Sequence, residues 1–219
     1  MPAKNILKEY LEDGIYHIYN RGVEKRIIFV DVHDYKTFLY LLKTYLLPSG
    51  TDPEGRVSPS REKRNFHTRI NLLCYCLMPN HFHILLKQKN KDDISEFMKC
   101  LATNYSMYFN KKYNRIGSLF QGRYKASLIQ EDNHLLHVSR YIHLNPGKNK
   151  YKKYPFSSYL DYVNLRNTKW IQKNLILDYF STKNINNDFV LLKNFSYEEF
   201  MNDQENDNIK LDPNLLLEN

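Results

Sequence analysis

Cysteine is scarce in this sequence: three residues in 219, an odd number without the spacing of a disulfide framework. Cys74 and Cys76 fall in one apolar run at the same parity, which predicts reduced thiols on one side of a strand. Long apolar runs are lacking as well. No window approaches 18 uncharged apolar residues and the opening MPAKNILKEYLEDG has no apolar h-region, so a soluble cytoplasmic chain without a membrane partner is expected. Internal repeats are absent, and the length suits one substantial domain with an appendage better than two domains.

Negative charge is the minority, with 24 Asp and Glu against 32 Lys and Arg, for a formal charge of +8. Residues 202–219 hold five acids and one lysine, so this tail is −4 and residues 1–201 carry +12. A basic body with 18 tyrosines and 12 phenylalanines supplies phosphate neutralisation and stacking faces for single-stranded nucleic acid. The same composition also suits a basic protein whose aromatics fill its core.

Along the chain, GIYHIYNRG at 14–22 reads as a strand and DYKTFLYLLKTYLL at 34–47 as an amphipathic helix. Residues 48–64, with three prolines and two glycines, read as a loop insertion. FHTRINLLCYCLM and HFHILLKQ are two strands joined at Pro79-Asn80 as a hairpin. A helical stripe of Ile94, Phe97, Met98, Leu101, Tyr105, Tyr108 and Phe109 follows, then a fourth strand in GRYKASLIQED. A last helix, capped by Asp132 or Asn133, must stop near Asn145 because Pro146 follows.

The order β-α-β-β-α-β predicts an α+β, ferredoxin-like split βαβ fold, its antiparallel-rich sheet covered by helices on one face. The expected division is a domain over 1–162, a helical C-terminal extension over 163–201 and a flexible acidic tail over 202–219.

His81 and His83 lie two apart on a strand, so their imidazoles project together while Phe82 enters the opposite layer. Such a pair can hold a divalent cation or can be two hydrogen-bonded residues of a half-exposed hairpin. His137, Tyr141 and Asn145, spaced i, i+4 and i+8, share a helix face with His134 close by; that face can be a site or simply solvated. A phenol is a poor nucleophile at neutral pH, and a nearby divalent metal both favours phenolate and polarises a phosphodiester oxygen. With an Asn amide as third ligand, these groups suit DNA-strand cleavage through a phosphotyrosine, which conserves the bond energy for rejoining.

At these positions the sequence resembles the single-tyrosine HUH transposases of the insertion-sequence superfamily, and within them the REP-associated tyrosine transposases. The resemblance is carried by YNRG (19–22), MPNHFHILL (78–86), GSLFQGRYKA (117–126), YIHLNP (141–146) and YPFSSY (154–159), and spans about residues 14–162. It implies that His81 and His83 are the metal-binding pair, Asn145 the third ligand and Tyr141 the nucleophile that becomes linked to a 5′-phosphate. Small insertion-sequence members usually carry glutamine at the third-ligand position, so Asn145 followed by Pro146 favours the REP-associated branch. The resemblance further implies Mg²⁺ or Mn²⁺ and a single-stranded, hairpin-forming DNA partner, although two imidazoles alone also suit zinc.

Arg21, Arg123, Lys125, Lys148, Lys150, Lys152 and Lys153 are candidates for phosphate contacts, and His17, His137 and His143 for proton transfer. Tyr105, Tyr108 and Tyr113 are stacking candidates, the first two better placed for core packing. The function expected is therefore a metal-dependent single-stranded DNA nuclease and strand transferase, monomer or homodimer. The alternatives are a non-catalytic nucleic-acid-binding regulator derived from one, and a His-x-His phosphohydrolase, which HFHILL disfavours by lacking further histidines.

Overall fold

In the computed structural model, which describes residues 10–48, 65–181 and 196–203, strand β1 (Ile15–Arg21) is central. It is flanked by β3 (His81–Gln88) and β4 (Lys125–Ile129), and β2 (Ile70–Met78) forms the far edge. All neighbours are antiparallel and the order is β2-β3-β1-β4, the split βαβ arrangement read from the chain. Pro79 and Asn80 make the two-residue turn, since Met78 pairs directly with His81.

Helix α1 (Val32–Leu46) begins with a capping box in which Asp31 accepts from the Asp34 backbone and Asp34 from that of Asp31. With α2 (Asp93–Lys112) it covers one sheet face, burying Phe38, Leu42, Phe97, Leu101 and Tyr105 against Ile18, Phe82, Ile84 and Leu86. Tyr108 and Tyr113 donate to Asp34 and Tyr105 to the Ile28 carbonyl, so all three stacking candidates serve helix packing.

Helix α3 (Asp132–Leu144) crosses the opposite face, so helices cover both faces of the sheet and not one as expected; there Leu135, Leu136, Val138 and Ile142 pack with Leu73, Cys74, Cys76 and Leu85. Its N-cap position is Glu131, without a side-chain cap bond, one residue before the expected cap. The three cysteines are unpaired and buried. Short helices α4 (Tyr159–Tyr162), α5 (Asn174–Leu177) and α6 (Tyr197–Asn202) add Tyr159, Tyr162, Ile176, Tyr197, Phe200 and Met201 to this second core. The 49–64 part of the loop insertion, residues 182–195 of the extension and the tail beyond Asp203 lie outside the described residues. Among the described residues no helix is long and apolar enough to cross a membrane.

Candidate active site

Alternation along the central strands aims one set of side chains at α3. On β1 that set is His17, Tyr19 and Arg21, and on β3 it is His81, His83 and Leu85. Register places Tyr19 opposite His83 and Arg21 opposite His81. Three of the quoted motifs meet at the end of β1: the Gly22 amide donates to the Asn80 carbonyl at 2.8 Å, and the Gln121 amide to the Arg21 carbonyl at 2.8 Å. A Cβ on Gly22 would run into the Arg26 carbonyl, which accounts for glycine there. Residues of YPFSSY bond along the outer edge of β2, Ser158 to the Tyr75 carbonyl and Leu77 to that of Phe156.

From α3, Tyr141 brings its ring edge-on to His83, with centroids 5.4 Å apart, and lies 6.0 Å from His17. His81 and His83 are 5.1 Å apart at 87°. One turn beyond Tyr141, the Asn145 Oδ1 is 3.1 Å from His81 Nε2. Within one chain, then, the fold brings together His81, His83, Tyr141 and Asn145 from two elements that lie some 60 residues apart in sequence.

The hydrogen bonds around His81 assign its tautomer. Asn80 spends its amide nitrogen on the Lys25 carbonyl at 3.3 Å, so its Oδ1 faces His81 Nδ1 at 2.7 Å and accepts from it. Burial holds His81 below the ordinary imidazole value, and the charge of Arg21 adds to that against the bond to Asn145. A neutral ring has one N–H, which Asn80 takes, so in the neutral state His81 Nε2 is itself an acceptor beside Asn145, and the 3.1 Å contact is a hydrogen bond only when the ring is protonated or the Asn145 amide presents its nitrogen.

Two acceptors so placed suit a shared cation. Around an octahedral ion with bonds of about 2.1 Å, adjacent donors lie roughly 3.0 Å apart. Among the described residues His83 Nε2 is buried with no hydrogen-bond partner, and burial keeps this ring well below the usual range and therefore neutral. Among the described residues no group of three or more His, Cys, Asp or Glu is placed to hold a metal ion, so the histidine pair would need the amide and further oxygen donors to complete a coordination sphere. Two imidazole nitrogens and one amide oxygen form a donor set that fits a divalent ion without selecting a hard one over zinc.

The other candidates divide. Arg21 donates to Gln121 at 3.1 Å beside His81, and Lys125 Nζ lies 5.8 Å from the centre of the Tyr19 ring, so both border the site. Arg123 is exposed on the adjoining loop, where it lines an open cavity of about 490 Å³ with Asn20, Lys99, Thr103, Phe120 and Tyr124. Lys148, Lys150, Lys152 and Lys153 are exposed just past the end of α3, with Lys152 paired to Glu198 at 3.3 Å. His137 is half-buried one turn before Tyr141, its ring 5.6 Å from Phe200.

His143 points elsewhere. It is fully buried on the far side of α3, where Nδ1 meets the Tyr197 hydroxyl and Nε2 the Ser158 hydroxyl, both at 2.8 Å. Two residues past Tyr141, it is turned by helical geometry away from the nucleophile's face, and both nitrogens are occupied. Sequence reading treated Asn80 only as a turn former; its position directly before His81, able to reach the ring it precedes, is the signal that could have marked it.

Comparison with known proteins completes the picture. Residues 61–145 match the family model described as "Transposase IS200 like". A Haemophilus influenzae protein named as a REP-associated tyrosine transposase is 30% identical over 108 residues, covering 42% of this chain and 61% of the relative. The match thus spans less than two thirds of that relative's length. A solved structure of a REP-associated tyrosine transposase bound to a REP hairpin superposes with a TM-score of 0.50 at 15% identity, covering 72% of this chain and 84% of that one. The fold is shared with it. The resemblance to the single-tyrosine transposases and their REP-associated branch, drawn from the motifs, holds.

Proposed function

From an IS200-like transposase segment at 61–145 set in the fold of a REP-associated tyrosine transposase, we propose that this protein cleaves and rejoins single-stranded DNA at hairpin-forming sites. The observation that carries the reading is the placement of the Tyr141 ring 5.4 Å from His83, inside one chain, with Asn145 on His81. A tyrosine delivered by the same chain supports a monomer as the catalytic unit.

His81, His83 and Asn145 would hold a Mg²⁺ or Mn²⁺ ion. Bound there, such an ion polarises a phosphodiester oxygen and favours phenolate. The Tyr141 oxygen, having given up its proton, forms a bond to phosphorus as the bond to the 3′-oxygen breaks. That oxygen is protonated to a free 3′-OH, leaving the 5′-phosphate on the tyrosine, and reversal with a second 3′-OH rejoins the strand. Arg21 and Lys125 border the site and are placed to hold phosphates, while Arg123 and the lysines at 148–153 extend the basic surface for flanking DNA.

Tyr141→Phe tests this directly. Incubated with Mn²⁺ and a single-stranded hairpin oligonucleotide, the wild type should yield a protein–DNA adduct stable to denaturing electrophoresis. The variant should retain oligonucleotide binding and give no adduct. A surviving adduct would place the nucleophile elsewhere, and binding without an adduct in the wild type across hairpin substrates would favour the regulator reading.

A further inference from the structure

His17 lies on β1 diagonally across from His83, and both rings are fully buried. They stack at 5.0 Å with an interplanar angle of 20°, and His17 Nε2 is 2.9 Å from His83 Nδ1. The remaining nitrogens, His17 Nδ1 and His83 Nε2, have no hydrogen-bond partner among the described residues. Two neutral imidazoles joined by one N–H···N bond have two arrangements. In one, His17 donates, and His83 then carries a proton on the nitrogen that would face an ion. In the other, His83 Nδ1–H donates, His17 Nε2 accepts, and His83 Nε2 presents a bare lone pair. Only the second can ligate.

We propose that His17 is a positioning residue that accepts the Nδ1 proton of His83 and thereby fixes it as an Nε2 ligand, as Asn80 does for His81. The inference rests on the metal-site reading above. It goes beyond that reading by assigning the acceptor that sets the tautomer. The two outer-shell partners differ in kind. Asn80 is tied down by Lys25 and can only accept through Oδ1, whereas His17 accepts through Nε2 only in the tautomer that keeps its own proton on Nδ1. His17 has no accessible surface, so it acts through His83 and not on DNA.

The test is Mn²⁺ affinity of the full chain without DNA, measured by electron paramagnetic resonance. Loss of an outer-shell partner typically weakens a metal site by about 10–100-fold. His17→Ala should show that loss, and His17→Gln, whose side-chain oxygen can accept from His83, should recover most of it. Wild-type affinity in folded His17→Ala, or an equal loss in both variants, overturns the assignment. In the ¹⁵N-histidine-labelled wild type saturated with Mg²⁺, the His83 proton should reside on Nδ1; a proton on Nε2 overturns the assignment without recourse to any variant. A wild type that binds no Mn²⁺ removes the metal site itself, and this inference with it, whereas binding that ignores His17 removes only the inference.

Discussion

Two groups of buried histidines flank α3, and they are built in opposite ways. On the far side, His143 is satisfied at both nitrogens, its Tyr197 partner also meets Ser139, and its Ser158 partner accepts from the Tyr75 amide. On the sheet side, His17 and His83 share one bond and leave two buried nitrogens bare. A fully partnered network specifies one packing, here the docking of 157–162 and α6 onto the helix that carries Tyr141. An under-partnered one costs stability, about 1–3 kcal/mol for a buried polar group left unpaired. Such a deficit is understandable where a ligand is to be taken up.

The largest way to separate the two is to remove both ligand candidates. His81→Ala with His83→Ala should abolish Mn²⁺ binding and adduct formation while the chain remains folded, as judged by circular dichroism. Retained cleavage would mean that the bare nitrogens on the sheet side are not a metal site.

The reverse substitution comes next in size. His143→Ala deletes a buried ring and two hydrogen bonds, which should cost about 3 kcal/mol in urea unfolding. Its Mn²⁺ affinity should match the wild type. A weakened metal site with little loss of stability would show that the two groups are one network and would erase the contrast.

How much of this was legible beforehand follows from the kind of signal each feature leaves. The strands and helices were readable because period-2 and period-3.6 patterns are local: β1, β3 and α3 fall within a residue or so of their expected limits. The shared face of His81 and His83 was equally local. That Tyr141 meets them was not, since it depends on α3 crossing the sheet face that carries His17 and Tyr19, a consequence of long-range packing. His143 shows the limit. Beside Tyr141 in sequence it resembled a proton carrier, yet the direction of a helical side chain, and partners 54 residues away, decide that it belongs to the core. The lining of the second core by Ile176, Tyr197 and Phe200 was likewise unreadable, because short helices leave little periodicity.

The smallest effect is a dependence of stability on pH in the metal-free protein. Burial pulls His17 and His143 from 6.5 down to about 3, the former helped by His134 and the latter by Arg166. The unfolded chain therefore takes up protons below about 6.5 that the native state refuses, so stability is complete above that pH and is lost progressively as pH falls toward 3. Between pH 7 and pH 6 the two groups together should lower unfolding free energy by about 1.4 kcal/mol. His143→Leu removes one of them and should reduce the measured loss by about 0.7 kcal/mol, leaving the share that belongs to the sheet-side histidines, where burial holds His83 down as well. A slope unchanged by His143→Leu would place the acid sensitivity wholly on His17 and its neighbour. The better-partnered histidine would then no longer resist protonation as the stacked pair does, and the distinction between the two sides of α3 would lie in hydrogen bonding alone.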